Sequence, residues 1–96
     1  MLTAAEIVAT CRAHRDRLRE LGVRRLGLFG SFARGEAGPE SDLDFVIELD
    51  ARTFDRFMDA KLFLEDLFDR AVDLVPFDRI KPRLRERILA EVVDAA

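Results

Sequence analysis

The sequence predicts an α/β domain in which a small β-sheet is flanked by helices. Three observations support this fold class. Short segments rich in alternating apolar residues have the period of strands, and longer segments carry apolar residues at helical spacing. Glycine, proline and capping residues separate the two kinds of segment. Because helix and strand alternate along the chain, a sheet covered by helices is the expected architecture.

The first helix is predicted to begin after Thr3 and to end near Gly22. Thr3 can cap the helix, and Glu6, three residues later, completes a capping-box pattern. A short helical turn is predicted over residues 31–34, and Gly35 ends it. Both ends are placed by residues that favour helix termini.

Two further helices are predicted in the second half of the chain. One begins after Thr53, a capping residue, and the other begins at Pro82, which suits the first helical turn. The last helix is expected to carry an apolar stripe formed by Leu84, Ile88, Leu89, Val92 and Val93. Periodicity does not decide whether this stripe belongs to the core or to a surface for a partner.

Three strands are predicted, over residues 24–29, 43–49 and 71–77. The second strand shows clear alternation of apolar and polar residues, which is typical of a strand with two different faces. Pro76 lacks a backbone N–H, so the third strand is expected at a sheet edge or to end there.

Residues 1–96 are expected to form one domain, because domains usually contain about 50 to 250 residues. Hydrophobic residues make up 49% of the chain, which argues against disorder. The 16 basic and 19 acidic residues leave a net charge of −3. A protein that binds long nucleic acid usually carries a basic excess, so such a partner is not expected.

Cys11 is the only cysteine, which excludes a disulfide or a cysteine-built zinc site within the chain. The sequence shows neither a signal-peptide pattern nor 18 uninterrupted apolar residues. We therefore expect a cytoplasmic protein with no membrane contact.

Residues 30–44, GSFARGEAGPESDLD, combine groups that bind phosphate with groups that bind metal. Gly30 lets backbone N–H groups approach an anion closely, and Ser31 adds a hydroxyl donor. Asp42 and Asp44 are separated by one residue at the start of a strand, so both point to the same side of it. The alternative is a polar strand end beside a turn.

Asp73 lies within the apolar segment AVDLVPF and is predicted to face away from Val72 and Leu74. If the third strand pairs with the second, Asp73 joins Asp42 and Asp44 in one cluster. The alternative is an exposed residue on an edge strand. Asp78 is close in sequence, but it precedes a helix and is better assigned to capping.

Three adjacent carboxylates would repel one another unless a cation binds them. Two carboxylates about 4 Å apart repel by roughly 4 kcal/mol at an effective dielectric constant of 20. Hard oxygen ligands with positions left for phosphates suit Mg²⁺, and Mn²⁺ can substitute for it. The sequence therefore predicts a divalent-metal site.

The combined pattern resembles the signature of the DNA polymerase β-type nucleotidyltransferases. Gly-Ser, ten residues, Asp-x-Asp and a later strand aspartate carry the resemblance, and GSFARG…SDLDFVI closely resembles the minimal nucleotidyltransferases. The resemblance covers roughly residues 26–93. It implies a small mixed β-sheet flanked by helices, and an enzyme that transfers a nucleoside monophosphate from an NTP.

The resemblance also implies a role for each matching residue. Gly30 and Ser31 match the residues that hold the β- and γ-phosphates, and Arg34 falls at a basic position that fits phosphate. Arg34 fits a surface salt bridge equally well. The three carboxylates match the catalytic ligands of two metal ions: Asp42, Asp44 and Asp73. ATP is favoured as the substrate by the resemblance alone.

Related proteins act as antitoxins that add AMP to a tyrosine of a HEPN-domain toxin. The resemblance therefore implies a HEPN toxin as the acceptor, and it leaves open a hetero-oligomer with that toxin. Two alternatives remain at this stage. One is a non-catalytic antitoxin that neutralises the toxin by binding, and the other is a nucleotidyltransferase acting on a small molecule such as an antibiotic.

Overall fold

The structure, a computed structural model, describes residues 2–96. The elements, in chain order, are α1 Ala4–Ala13, α2 Arg15–Glu20, β1 Val23–Phe29, α3 Gly30–Arg34, β2 Leu43–Leu49, α4 Phe54–Phe68, β3 Val72–Pro76, a 3₁₀ turn Phe77–Arg79, α5 Pro82–Glu91 and β4 Val93–Asp94. The three predicted strands are all present, each within one residue of its expected bounds.

The four strands form one mixed sheet in the order β3-β2-β1-β4. β2 pairs with β3 in parallel, whereas β1 pairs with both β2 and β4 in antiparallel fashion. β3 thus lies at an edge, and Pro76 is its last residue. Both features agree with the position expected for a residue without a backbone N–H.

The hydrophobic core lies on one face of the sheet, beneath α1, α2 and α4. Alternate residues of β2 enter it, and Leu43, Phe45 and Ile47 are almost completely buried. The helices contribute further buried side chains: Ile7, Val8, Cys11, Leu18, Ala60 and Leu64. The opposite face of β2 therefore carries the residues between them, which include Asp44.

The capping predictions for Thr3 and Thr53 are confirmed, but the first helix is interrupted. Thr3 and Glu6 form the expected capping box, and Thr53 accepts a hydrogen bond from the Arg56 N–H. The chain leaves helical geometry at His14, with φ −107° and ψ 21°. The His14 ring nitrogen Nδ1 lies 2.9 Å from the carbonyl oxygen of Thr10, so this side chain shares an acceptor of the helical backbone.

The prediction for the end of the last helix is wrong. α5 stops at Glu91, Val92 is extended, and Val93 pairs with Leu28 as part of β4. The residues that follow hydrogen-bond to the outer edge of β1: the N–H of Ala95 donates to the carbonyl of Leu26 at 2.8 Å. Tertiary pairing on a strand edge thus overrides the apolar period that suggests a longer helix.

The stripe on α5 is not part of the core. α5 has no buried side chain, and Leu84 and Leu89 are 36% and 42% exposed. Val92, just beyond the helix, packs against the second face of the sheet. A Cβ placed on Gly27 would come within 2.8 Å of its Cγ1 atom. Within residues 2–96, no helix is long and apolar enough to cross a membrane.

Candidate active site

Gly30 stands where β1 passes into α3, directly beside the Asp44 carboxylate. Its φ of 76° lies in the left-handed region that glycine adopts without strain. Phe29 pairs with Asp44 across the sheet, so the next residue meets the Asp44 side chain. A Cβ on Gly30 would collide with the Oδ2 atom and lie 2.9 Å from the carboxyl carbon. The absence of a side chain here is a steric requirement of the site.

Ser31 lies in the first turn of α3 and is half-buried. Its hydroxyl group makes no hydrogen bond to residues 2–96, so it is available to a ligand. α3 ends at Gly35, which has φ 73°, as predicted. The Gly-Ser pair thus presents a backbone bend and one free hydroxyl next to Asp44.

The sheet register brings the acidic residues together as the sequence predicts. Asp44 of β2 is the direct partner of Asp73 in β3, and Asp42 precedes Asp44 by two residues on the same side. Asp42 and Asp73 are exposed, whereas Asp44 is half-buried. The N-terminal ends of two parallel strands and the C-terminal end of β1 meet here, which joins the acids to the Gly-Ser turn.

The pKa of the Asp44 carboxyl is raised well above its ordinary value. Burial, and then the negative charges of Asp73 and Asp42, raise the pKa of Asp44 to about 6, and Arg34 opposes the shift. The carboxylate is therefore costly to keep ionised in the protein alone. A cation at this position would remove that cost.

The donor set fits a hard divalent cation, although the side chains do not form a finished coordination shell. Within residues 2–96, no three acidic, histidine or cysteine side chains converge closely enough to hold a metal unaided. Asp42, Asp44 and Asp73 nevertheless supply only oxygen donors on one face, and two of them, Asp42 and Asp73, are exposed to solvent. Mg²⁺ typically takes one or two carboxylates and completes its shell with water and substrate phosphates.

Arg34, predicted to contact phosphate, is held by two carboxylates. Its Nε donates to Glu36 at 2.7 Å, and its Nη1 donates to Glu91 at 2.8 Å. These hydrogen bonds raise the pKa of Arg34 above its ordinary value. The salt-bridge alternative for Arg34 is therefore confirmed, and phosphate contact stays a prediction; Arg34 also lies close enough to Asp44 to act on its charge.

Glu91 and Arg70 are site residues that the sequence analysis misses. Glu91 reaches the site because α5 ends there, and its charge also raises the pKa of Asp44. Arg70 donates to the carbonyl oxygens of Pro39 and Ser41, at 3.1 and 3.0 Å, and so fixes the loop that delivers Asp42. No sequence signal identifies either residue, because both act through contacts between distant segments.

Asp78 is correctly separated from the acidic cluster, but its predicted capping role is wrong. The residue that precedes α5 is Lys81, and no side chain caps that helix. Asp78 pairs instead with Arg52 at the far end of β3. Both residues line a mainly apolar cavity of about 780 Å³ that contains none of the predicted site residues.

The family of nucleotidyltransferase domains matches residues 11–95 of this chain. Among curated proteins, the protein adenylyltransferase MntA of Thermococcus cleftensis is 39% identical over 95 residues, covering 97% of this chain and 96% of that protein. The identity and coverage are high enough to indicate a shared fold along the whole domain.

Solved structures with the same fold are also nucleotidyltransferases. The structure of a candidate minimal nucleotidyltransferase has a TM-score of 0.80 and 35% identity, covering 96% of this chain and 95% of the other. A complex of an MNT antitoxin with a tri-AMPylated HEPN toxin of Shewanella oneidensis has a TM-score of 0.65, at 16% identity, over 92% of this chain and 70% of the other. That second likeness concerns the fold. The chain therefore belongs to the nucleotidyltransferase domain family and to the minimal nucleotidyltransferases within it.

Proposed function

We propose that this nucleotidyltransferase moves AMP from ATP to a protein, a HEPN-domain toxin, and thereby acts as its antitoxin. The observation that carries the proposal is the pairing of Asp44 with Asp73 beside the left-handed backbone turn at Gly30. This arrangement joins a metal-binding group to a phosphate-binding turn. The adenylyl group and the protein acceptor are supported by the name of the relative that is 39% identical.

In this proposal each residue has a chemical role. Gly30 and Ser31 bind the β- and γ-phosphates through a backbone N–H and the hydroxyl group, and Arg34 offsets phosphate charge. Asp42, Asp44 and Asp73 together hold two Mg²⁺ ions, for which Mn²⁺ can substitute. The metal would activate the acceptor oxygen and stabilise the leaving pyrophosphate. Asp73, which is exposed on the edge strand β3, has access to an incoming acceptor hydroxyl and can accept its proton.

The acceptor assignment follows from two kinds of support. One solved structure of the same fold contains an AMP-bearing HEPN toxin together with an MNT antitoxin. In this chain, α5 leaves Leu84 and Leu89 exposed and reaches the site through its last residue, Glu91, so the helix offers an apolar surface that leads to the site. A tyrosine hydroxyl is the proposed attacking group.

The test is to incubate the protein with its cognate HEPN toxin, ATP and Mg²⁺, and to measure the intact mass of the toxin. We expect a gain of one or more AMP units, mapped by peptide fragmentation to tyrosine. Asp44→Asn should slow the transfer by more than about 100-fold, because several kcal/mol of metal-dependent transition-state stabilisation are lost. Asp66→Asn, an exposed change on α4, is the matched control.

A second function, neutralisation by binding alone, is favoured by the exposed stripe on α5. An Asp42→Asn/Asp44→Asn double variant separates the two. If that variant still blocks the toxin at equal stoichiometry without adding AMP, binding is the mechanism. If the toxin regains activity while the complex persists, transfer is the mechanism. AMP found on an added small molecule, and none on the toxin, would contradict both.

A further inference from the structure

An ion pair joins the last residue of α5 to the segment that we assign to phosphate binding. The Nη1 atom of Arg34 lies 2.8 Å from a carboxylate oxygen of Glu91, and the Nε atom lies 2.7 Å from Glu36. The two carboxylates therefore hold the guanidinium group from two sides. The remaining nitrogen, Nη2, makes no hydrogen bond to residues 2–96.

The two carboxylates differ in how firmly they are placed. The Glu91 side chain is 17% exposed, whereas that of Glu36 is 65% exposed and follows Gly35 in an exposed segment. Val92, the next residue after Glu91, packs close to Gly27 of β1, and β4 follows it. Glu91 is thus fixed by the sheet, and Glu36 depends on its own loop.

An arginine that is held in advance binds an anion at a lower entropic cost than a freely moving one. A flexible arginine side chain loses much rotamer freedom when it is immobilised, and preorganisation removes that loss from the binding step. These contacts leave the two N–H donors of Nη2 free for a phosphate oxygen. Glu91 would therefore help nucleotide binding even though it carries a negative charge.

We propose that Glu91 is a positioning residue that acts through Arg34 to place its guanidinium group for the triphosphate. The inference rests on the proposed function, because it takes the nucleotide as the ligand of Arg34. A positioning role of Glu91 differs from a purely structural role in one respect. The effect of Glu91 on nucleotide affinity must disappear when Arg34 is absent.

A double-mutant cycle tests this requirement. Binding of Mg²⁺ and α,β-methylene-ATP, which cannot transfer its nucleotidyl group, is measured by calorimetry for wild type, Glu91→Gln, Arg34→Gln and the double variant. We expect Glu91→Gln to weaken binding by about 3- to 10-fold alone, and by less than about 2-fold when Arg34→Gln is present. Glu86→Gln, on the exposed side of the same helix and outside any ion pair of residues 2–96, should bind as wild type does.

Steady-state transfer gives a second readout. Glu91→Gln should raise the KM for ATP by a similar factor and leave kcat nearly unchanged, as expected when ground state and transition state lose the same contact. Thermal melts verify that each variant is folded. If Glu91→Gln does not fold, Glu91→Asp replaces it, because aspartate keeps the charge but shortens the reach to Arg34.

Three results would overturn the inference: unchanged affinity, tighter binding, or an equal loss with and without Arg34. Tighter binding would mean that Glu91 competes with the nucleotide for Arg34. In all three, a wild type that binds the analogue and modifies its acceptor leaves the proposed function standing. A wild type that binds no nucleotide at all would overturn the proposed function, and the inference with it.

Discussion

At the scale of single residues, the site depends on the space and charge around the Asp44 carboxylate. Gly30 leaves room for it on one side, and two further acids face it on the others. The sequence motif predicts these neighbours correctly, because strand alternation and register place them. It does not predict the raised pKa, which depends on how deeply the side chain is buried.

Gly30→Ala should destabilise the protein more than Gly35→Ala does. Both glycines have a positive φ, 76° and 73°, so alanine is strained at each by about 1–2 kcal/mol. Only at Gly30 does the new methyl group also meet the Asp44 carboxylate, since nothing lies within 4 Å at Gly35. Urea unfolding of both variants measures the difference. Equal losses would contradict the close contact between Gly30 and Asp44.

The raised pKa of Asp44 predicts a pH-dependent stability in buffer without divalent cations. Asp44 has a folded-state pKa of about 6 against an ordinary value of 3.8. The folded state therefore holds this proton more tightly. The resulting stabilisation is complete below the ordinary pKa and is lost as the pH rises through about 6.

Asp44→Asn should remove this dependence. Above pH 6 the variant should be at least as stable as wild type, because the repulsion within the acidic cluster is relieved, and the difference should shrink at lower pH. Urea midpoints across this pH range are the measurement, with Asp66→Asn as the control. If the variant is clearly less stable than wild type above pH 6, the negative charge of Asp44 does not destabilise the folded protein.

At the scale of elements, the sequence identifies the helices and strands whose apolar residues recur at a regular spacing or whose first turn has a capping residue. The strand over residues 43–49 and the capping of α1 and α4 are confirmed in this way. The sequence does not predict β4, because a strand of two residues is too short to show an alternating pattern. β4 forms because the edge of β1 is available for pairing. The position of Glu91 depends in turn on where α5 gives way to β4.

Arg70 is expected to control the loop between α3 and β2. It donates to the carbonyls of Pro39 and Ser41 and lies 5.2 Å above the Phe32 ring. Arg70→Met should cost about 1.5–3 kcal/mol, the range for hydrogen bonds to charged groups, and should speed amide hydrogen exchange in residues 36–42. Arg15→Met, at an exposed position without an ion pair to residues 2–96, is the control. Unchanged exchange in the loop would show that Arg70 does not hold it.

At the scale of the whole molecule, one face of the sheet is packed and the other carries the site. The packed face holds the hydrophobic core, and the second face is covered only in part, by α5 and Val92. The sequence leaves open whether the α5 stripe is core or surface. In the structure α5 has no buried side chain, so the stripe is a surface.

Leu89→Ser should therefore have little effect on folding. Leu89 is 42% exposed, so its loss should change the free energy of unfolding by about 0.5 kcal/mol or less. Leu64→Ala, at a completely buried position, should cost about 2–5 kcal/mol. Binding of Leu89→Ser to the HEPN toxin should weaken if α5 forms the acceptor surface. A large loss of stability in Leu89→Ser would show that Leu89 packs against the domain and is not an exposed residue.

The central claim is that the site around Asp44 transfers a nucleotidyl group to a protein. The most direct measurement compares ATP labelled at the α-phosphate with ATP labelled at the γ-phosphate, with Mg²⁺ and the HEPN toxin present. The account predicts that the α-label becomes fixed to the toxin, that the γ-label leaves as pyrophosphate, and that Asp44→Asn slows both by more than about 100-fold. Fixation of the γ-label, or equal transfer by Asp44→Asn, would contradict it.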